Sequence, residues 1–152
     1  MNRMATFADN KKARFDYELL DTFEAGLVLA GHEVKAVRAG RADLTGAHVL
    51  IRGGEAFLVG MTIPPFQTKN TPEKYEADKP RRLLLNKKEL NELAGAEAKR
   101  GLTLVAISLY NKGRLLKLSF AIAKGKKKFD KRETIKSRDS KREMERTLKN
   151  HR

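Results

Sequence analysis

Apolar and polar residues along this chain fall into two repeating periods, and those periods predict its elements. Leu116, Leu118, Phe120 and Ile122 alternate with Lys117, Ser119 and Ala121, the two-residue period of a strand with one face turned inward. Leu102 to Tyr110 is almost wholly apolar and predicts a central strand, joined to the next by a turn at Asn111-Lys112-Gly113. His48 to Arg52 and Glu55 to Gly60 flank Gly53-Gly54, which predicts a β-hairpin. Met61-Thr62-Ile63 extends its second strand until Pro64-Pro65. Phe15, Tyr17 and Leu19 alternate with Asp16, Glu18 and Leu20 and predict an earlier strand. Glu24-Ala25-Gly26 interrupts it, and Leu27-Val28-Leu29 resumes it.

Two segments carry the helical period instead. In Gly31 to Gly40, Val34 and Val37 lie three apart, as do Lys35 and Arg38 on a neighbouring face. That spacing predicts two turns pinned by the valines and closed by Gly40. Asn86 caps a second helix, with Glu89 three residues on as its capping-box partner. Leu90, Leu93, Ala94 and Glu97 continue its spacing to a stop at Gly101. Phe66 to Pro80 is polar and reads as a long loop. Met1 to Asp9 has no periodicity and is expected to be loose. Five or six strands, a short early helix and one good late helix suggest a mainly β domain. The expected form is a small closed antiparallel barrel like the oligonucleotide-binding fold, with flanking helices.

Charge changes the picture. The 152 residues hold 33 Lys and Arg against 19 Asp and Glu, a formal net charge of +14. A balance this basic points to a polyanionic partner, nucleic acid before membrane. The excess is concentrated after Ala123, where Lys124 to Arg152 reads KGKKKFDKR and then a charged, apolar-poor run. Three parts follow: a flexible N-terminus over 1–9, the barrel over 10–123 and a basic tail over 124–152. In the tail beyond Arg132, only Ile135, Met144 and Leu148 are large and apolar, too little to offset the entropy of ordering. The tail is therefore expected to be disordered when free and helical on RNA. Asn10-Lys11-Lys12-Ala13-Arg14 forms a short basic arm, and Lys117 sits on the outer face of a core strand leading into the Lys124 run.

Other chemistries find little support. There is no Cys for a disulfide or thiol. His32, His48 and His151 are far apart, and neither a paired metal-binding His motif nor a Walker-type loop is present. No metal or cofactor is expected. Glu24 and Glu33, with His32, could be drawn as an acid–base set, but solvent or structural roles explain them more simply. From pattern alone Glu24 reads as an edge position facing water. The chain is read as a non-enzyme. No apolar run approaches the ~20 residues of a membrane span, and Met1 to Tyr17 lacks the apolar core of a signal peptide. A cytoplasmic protein with no membrane partner is expected.

An ordered set of short motifs then stands out. Asn10-Lys-Lys-Ala13, Phe23-Glu-Ala-Gly26, Gly31-His-Glu-Val-Lys35, Arg38-Ala-Gly40, Arg82-Leu-Leu-Leu-Asn86 and Lys124-Gly-Lys-Lys-Lys-Phe-Asp-Lys-Arg132 together resemble the SmpB family of SsrA-binding proteins. The resemblance implies an oligonucleotide-binding-like barrel that binds the tRNA-like domain of tmRNA. It implies delivery to stalled ribosomes for trans-translation, through tmRNA, with the elongation factor that carries aminoacyl-tRNA. It also implies that the tail enters the empty mRNA channel of the small subunit at the decoding centre and folds there as a helix. The family's RNA-binding positions fall on Asn10, Glu24, Leu84 and Lys117, which makes Glu24 a buried or semi-buried organiser of the RNA surface. Lys11, Lys12, Lys35, Arg38 and Lys124 complete the expected tmRNA face. Lys126, Lys127, Lys128, Phe129, Asp130, Lys131 and Arg132 are the expected ribosome-directed residues. The family often has His or Tyr before Asp130-Lys131-Arg132; Phe129 keeps a stacking face but cannot donate a hydrogen bond. The remaining reading is a general RNA-binding or ribosome-associated protein without tmRNA selectivity.

An isolated peptide spanning residues 124–152 is expected to give a coil circular-dichroism spectrum in plain buffer. A strongly helical spectrum there would contradict the composition argument.

Overall fold

The long hairpin that the alternation predicts is the spine of the molecule. In the computed structural model, which describes residues 5–67 and 72–126, β6 (Leu102–Lys112) and β7 (Leu115–Gly125) pair from Leu102 opposite Lys124 to Lys112 opposite Leu115. Leu116, Leu118, Phe120 and Ile122 are all buried, as a one-sided strand requires. The preceding elements are β1 (Thr6–Asp9), α1 (Lys11–Asp16), β2 (Tyr17–Leu27), α2 (Gly31–Arg38), β3 (His48–Arg52), β4 (Glu55–Val59), β5 (Arg81–Leu84) and α3 (Lys87–Ala98).

The seven strands form one antiparallel sheet whose pairings close on themselves. The order β6-β3-β4-β5-β2-β7 returns to β6, and β1 adds outside it, also on β6. The edge of β6 is shared: β3 meets it at Val105, and β1 takes over from Ser108 to Tyr110. Between them a register shift separates Ala106 from Ser108. Asn10 fills that gap. Its backbone N–H donates to the Ile107 carbonyl at 2.7 Å and its side-chain amide to the Ala106 carbonyl at 2.9 Å. Its Oδ1 accepts from the Ala13 N–H at 3.3 Å and so caps α1. Asn10 is 2% exposed, and each of its polar groups has a partner.

The core inside the ring draws on every paired strand of it, with Phe120, Leu118, Leu104, Leu109, Val49, Leu58, Leu83 and Ala25 among its members. Val37 and Ala36 of α2 and Leu93 and Ala96 of α3 also belong to it. Asn86 caps α3 by accepting from the Glu89 N–H at 2.8 Å. At the far end of α3, Glu97 accepts from the Ile51 N–H at 2.8 Å and pairs with Arg52, tying the helix to β3.

A second polar anchor is fully internal. Arg81, at the start of β5, is 2% exposed and donates to Glu33 Oε2 on α2 from Nε at 3.1 Å and from Nη2 at 2.9 Å. Its other guanidinium hydrogens reach the carbonyls of Met61, Ala77 and Lys79 and the Tyr75 hydroxyl. Burial by itself would raise the Glu33 pKa. The Ala30 N–H and the Arg81 guanidinium, with Lys79 nearby, outweigh it and hold the carboxyl below its ordinary value. Burial, and then the Glu33 charge, push the Tyr75 phenol up.

Several expected elements differ. The strand predicted from Phe15 begins only at Tyr17, because the Asn10 cap winds Lys11–Asp16 into a helix. Glu24-Ala25-Gly26 does not interrupt β2; all three pair with β7, and it is Val28 that lies outside the strand. The N-terminal nine residues are not all loose, since Thr6–Asp9 adds to β6 and Phe7 and Ala8 pack on the core. Met61–Ile63 does not extend β4. Gly60 takes φ +81°, and a Cβ there would lie 3.1 Å from the Gly46 carbonyl oxygen. Met61 and Ile63 are nonetheless buried, and Thr62 forms an isolated bridge with Asp43. The outer side of β7 is not open throughout, for Ala121 and Ala123 are buried, Ala123 against Ala13 of α1. The β6–β7 turn is shorter than expected, since Asn111 and Lys112 still belong to β6. On α3 it is Ala96, not Ala94, that faces the core. The boundary drawn after Ala123 falls inside β7, which runs to Gly125.

Removing one partner of the internal ion pair should be severe. Arg81→Ala is expected to lower stability at pH 7 by about 3–5 kcal/mol, because it leaves a buried carboxylate without its cation; urea denaturation measures it. Glu33 also carries a pH signature. Its folded pKa lies below the unfolded value, so its stabilisation is present above the unfolded pKa and lost as pH falls through the folded one. The acid limb of the urea midpoint should therefore be shallower in Glu33→Gln.

Candidate nucleic-acid interface

Cross-strand register brings distant residues into rows on the outer face of the sheet. Leu84 of β5 stands opposite Gly26 of β2, Gly26 opposite Lys117 of β7, and Lys117 opposite Tyr110 of β6. The next row holds Glu24, Ser119 and Ser108, and on the other side Lys112 faces Leu115. All project outward, since the intervening Ala25, Leu83, Leu116, Leu118 and Leu109 are buried. The face is unusual in exposing large apolar side chains: Leu84 is 57% exposed, and Val28 and Leu115 are also open. Arg82, two residues before Leu84, is exposed and pairs with Glu55 at 3.1 Å.

Glu24 is the acid of this face, and it is held. The Tyr110 hydroxyl donates to its Oε2, and Lys112 Nζ approaches Oε1 at 3.5 Å. With 39% of its side chain exposed, it is neither fully solvated nor buried. It is exposed, as the pattern predicts, but is held by Tyr110 and Lys112 and not left free in water. The Tyr110 hydrogen bond lowers the Glu24 pKa; partial burial opposes this and Lys112 and Lys117 assist it. Burial first, and then Glu24 itself, push the Tyr110 phenol far upward. At neutral pH the pair is a carboxylate and a neutral phenol, so Glu24 is an oriented acceptor within a cationic face.

The expected site residues do not all meet. Glu24, Leu84 and Lys117 come together. Lys35 and Arg38 are exposed on α2, where Arg38 lies 6.0 Å over the Phe7 ring and donates to the Arg114 carbonyl at 3.2 Å. Lys11 and Lys12 are exposed on α1. Asn10 faces inward and can serve a surface only by positioning them. Lys124 is exposed near the end of β7, opposite Glu18, seven residues or roughly 23 Å along the strand from Lys117. Beyond it the Lys126 N–H donates to the Asp16 carbonyl at 2.9 Å, and Lys126 Nζ reaches the Arg14 carbonyl at 3.2 Å. A cleft of about 380 Å³ beside α1 is lined by Lys12, Asp16, Tyr17 and His48 among others. The expected site cations that are described thus group into a sheet face around Lys117, an α2 edge at Lys35 and Arg38, and an α1 end at Lys11, Lys12, Lys124 and Lys126. Lys127, Lys128, Phe129, Asp130, Lys131 and Arg132 lie outside the described residues.

Sequence reasoning did not single out Tyr110, Lys112 or Val28, and it met Gly26 and Arg82 only inside the family motifs. A signal for two of them was present: a turn centred on Gly113-Arg114 puts Lys112 opposite Leu115 and Tyr110 opposite Lys117. Placing the turn one residue early hid that register.

Among the described residues no group of His, Cys, Asp and Glu could hold a metal, and no helix is long and apolar enough to cross a membrane. What remains is a mainly β module with a cationic, partly apolar face around an oriented carboxylate, which is the chemistry of a nucleic-acid-docking module. The family model described as "SmpB protein" matches residues 7–150, and the chain belongs to the SmpB family. It is 52% identical over 145 residues to the SsrA-binding protein of Pseudomonas entomophila (strain L48), covering 95% of this chain and 91% of that one. It is 44% identical over 148 residues to the SsrA-binding protein of Chloroflexus aggregans (strain MD-66 / DSM 9485), covering 97% and 94%. A solved structure described as "tmRNA-SmpB: a journey to the center of the bacterial ribosome" superposes with a TM-score of 0.66 at 38% identity, over 84% of this chain and 92% of that chain.

Tyr110→Phe should move the Glu24 carboxyl titration upward, towards the ordinary glutamate value of about 4.3. Carbon-detected NMR of the side-chain carboxyl reads it directly, and an unmoved midpoint would remove Tyr110 as the cause.

Proposed function

We propose that this chain binds tmRNA and acts with it on the ribosome in trans-translation. The relatives are named for SsrA binding, and the structural neighbour is described as tmRNA-SmpB in the bacterial ribosome. The observation that carries the reading is the outward row of Leu84, Gly26, Lys117 and Tyr110 with Glu24 beside it. Cations on a face supply affinity through phosphates, and exposed apolar groups and a fixed acceptor supply shape.

In this reading the ring of strands acts as an oligonucleotide-binding-like barrel that takes the tRNA-like domain of tmRNA, with Lys35 and Arg38 extending the contact. Asn10 organises the α1 end, which adds Lys11, Lys12 and Lys124. The basic tail is a separate element. Its Lys126, Lys127, Lys128, Phe129, Asp130, Lys131 and Arg132 serve the small-subunit decoding centre and the empty mRNA channel. The elongation factor that carries aminoacyl-tRNA joins through tmRNA. The protein works as a cytoplasmic adaptor and not as an enzyme.

Binding to a tRNA-like tmRNA fragment and to an unrelated hairpin, at several salt concentrations, tests this. The full chain and a chain ending at Lys126 should bind the fragment selectively and alike. Lys117→Ala should weaken that binding roughly tenfold and lower the salt slope by about one, with the fold intact. Replacing Asp130, Lys131 and Arg132 by Ala should spare binding and abolish tagging. Equal competition by the hairpin would leave only a general RNA binder.

A further inference from the structure

β2 is paired on one edge and largely open on the other. β7 takes one edge from Tyr17 to Gly26, but β5 meets the other only at Gly26 and Leu27. Among the described residues no strand covers that second edge from Tyr17 to Ala25. Glu18, Leu20, Asp21 and Thr22 are all exposed on this stretch, Leu20 by 46%. A register shift between Leu19 and Thr22 leaves Leu20 and Asp21 without a β7 partner. Neither Glu18 nor Asp21 has an ion-pair partner among the described residues. Charges and a bulge keep such an edge from pairing with a second copy, and acids repel RNA. What this edge can accept is a basic, extended segment. The chain supplies one. The Lys126 N–H donates to the Asp16 carbonyl at 2.9 Å, one residue before β2 begins. Residues 127–152 follow, with 11 Lys and Arg against 5 Asp and Glu. Glu18 to Thr22 spans roughly 13 Å, a length that about five extended residues cover.

We propose that in the RNA-free protein the start of this tail, Lys127 to Lys136, lies extended along the open edge of β2. Lys127, Lys128, Lys131 and Arg132 meet Glu18 and Asp21, and Phe129 covers Leu20. Exposed ion pairs are individually weak, but the tether holds the segment at a millimolar effective concentration, so a few suffice. The contact needs no fold of the tail's own. Its consequence is selectivity: a docked tail has part of its charge matched and engages arbitrary RNA less. Glu18 stands opposite Lys124, at the far end of β7 from Lys117, so the docked tail leaves the sheet face around Lys117 clear. The inference concerns the RNA-free chain and goes beyond the tmRNA reading, and its first test needs no RNA.

The chain has no cysteine, so Ser137→Cys carries a single nitroxide label on the full chain. In dilute buffer the label should broaden the amide NMR signals of Glu18 to Thr22 more than those of Lys11 to Arg14, which also adjoin Lys126. Salt at about 1 M should abolish the difference, and so should Glu18→Gln combined with Asp21→Asn. In that double variant, binding to an unrelated RNA hairpin should rise roughly fivefold. In a chain ending at Lys126 the same substitutions should raise it less than about twofold. Even broadening of both segments, or a difference that survives salt, would overturn the docking. An equal rise in hairpin binding with and without the tail would reduce the two acids to plain repulsion and overturn it as well. Broadening that appears only when the label sits on a second copy would place the contact between chains and overturn the intramolecular form. The salt arm changes nothing in β2, so the test stays decisive if the double variant unfolds.

Discussion

The fold turns on a buried ion pair in a chain that is otherwise basic on its surface. Arg81 and Glu33 are each 2% exposed, and the guanidinium also satisfies the Met61, Ala77 and Lys79 carbonyls. One side chain therefore ties α2, the segment after β4 and the approach to β5 to each other. A hydrophobic replacement of similar volume could equal such a pair in stability, so its particular contribution is register. Strand side chains alternate faces, and a one-residue slip exchanges them all. With Arg81 and Leu83 committed inward, Arg82 and Leu84 must face outward. The internal pair thus sets which residue of β5 stands beside Gly26.

Asn10 plays the matching part at the other end. β6 must change partners from β3 to β1, and the change leaves the Ala106 and Ile107 carbonyls without ladder bonds. An asparagine offers a backbone N–H, an amide donor and an acceptor within one residue, and Asn10 uses all three. The family position carried to Asn10 as RNA-binding is here a buried clamp. Lys11 and Lys12, both exposed, follow it into α1.

How legible each part was in the sequence follows from how many faces it covers. β7 was readable because its inner face is strictly apolar, and β3–β4 because Gly53-Gly54 marks the turn. β1 was not, since four residues on an outer edge carry too short a pattern. Phe15 misled because it belongs to α1, and its alternation with Tyr17 crosses the C-terminal end of that helix into β2. Glu24 and Gly26 read as an interruption because a charged residue and a glycine break the apolar alternation within β2. At the site, pattern alone offered Lys117, Lys35 and Arg38. Glu24 and Leu84 came from the family resemblance. Tyr110 and Lys112 needed the β6–β7 register, which depends on setting the hairpin turn at Gly113-Arg114 and not one residue earlier.

The same register bears on how two proposed tasks share one small protein. An acid in a basic RNA face would ordinarily repel phosphate. Tyr110 and Lys112 hold the Glu24 carboxylate by hydrogen bonds, which offsets part of its charge beside Lys117. The chain then leaves the described module at Lys126, bonded to Asp16 and Arg14 at the α1 end. That exit lies beyond Lys124, at the far end of β7 from Leu84, Gly26 and Lys117. In the proposed division of labour, most of the length of β7 therefore separates the face around Lys117 from the start of the basic segment.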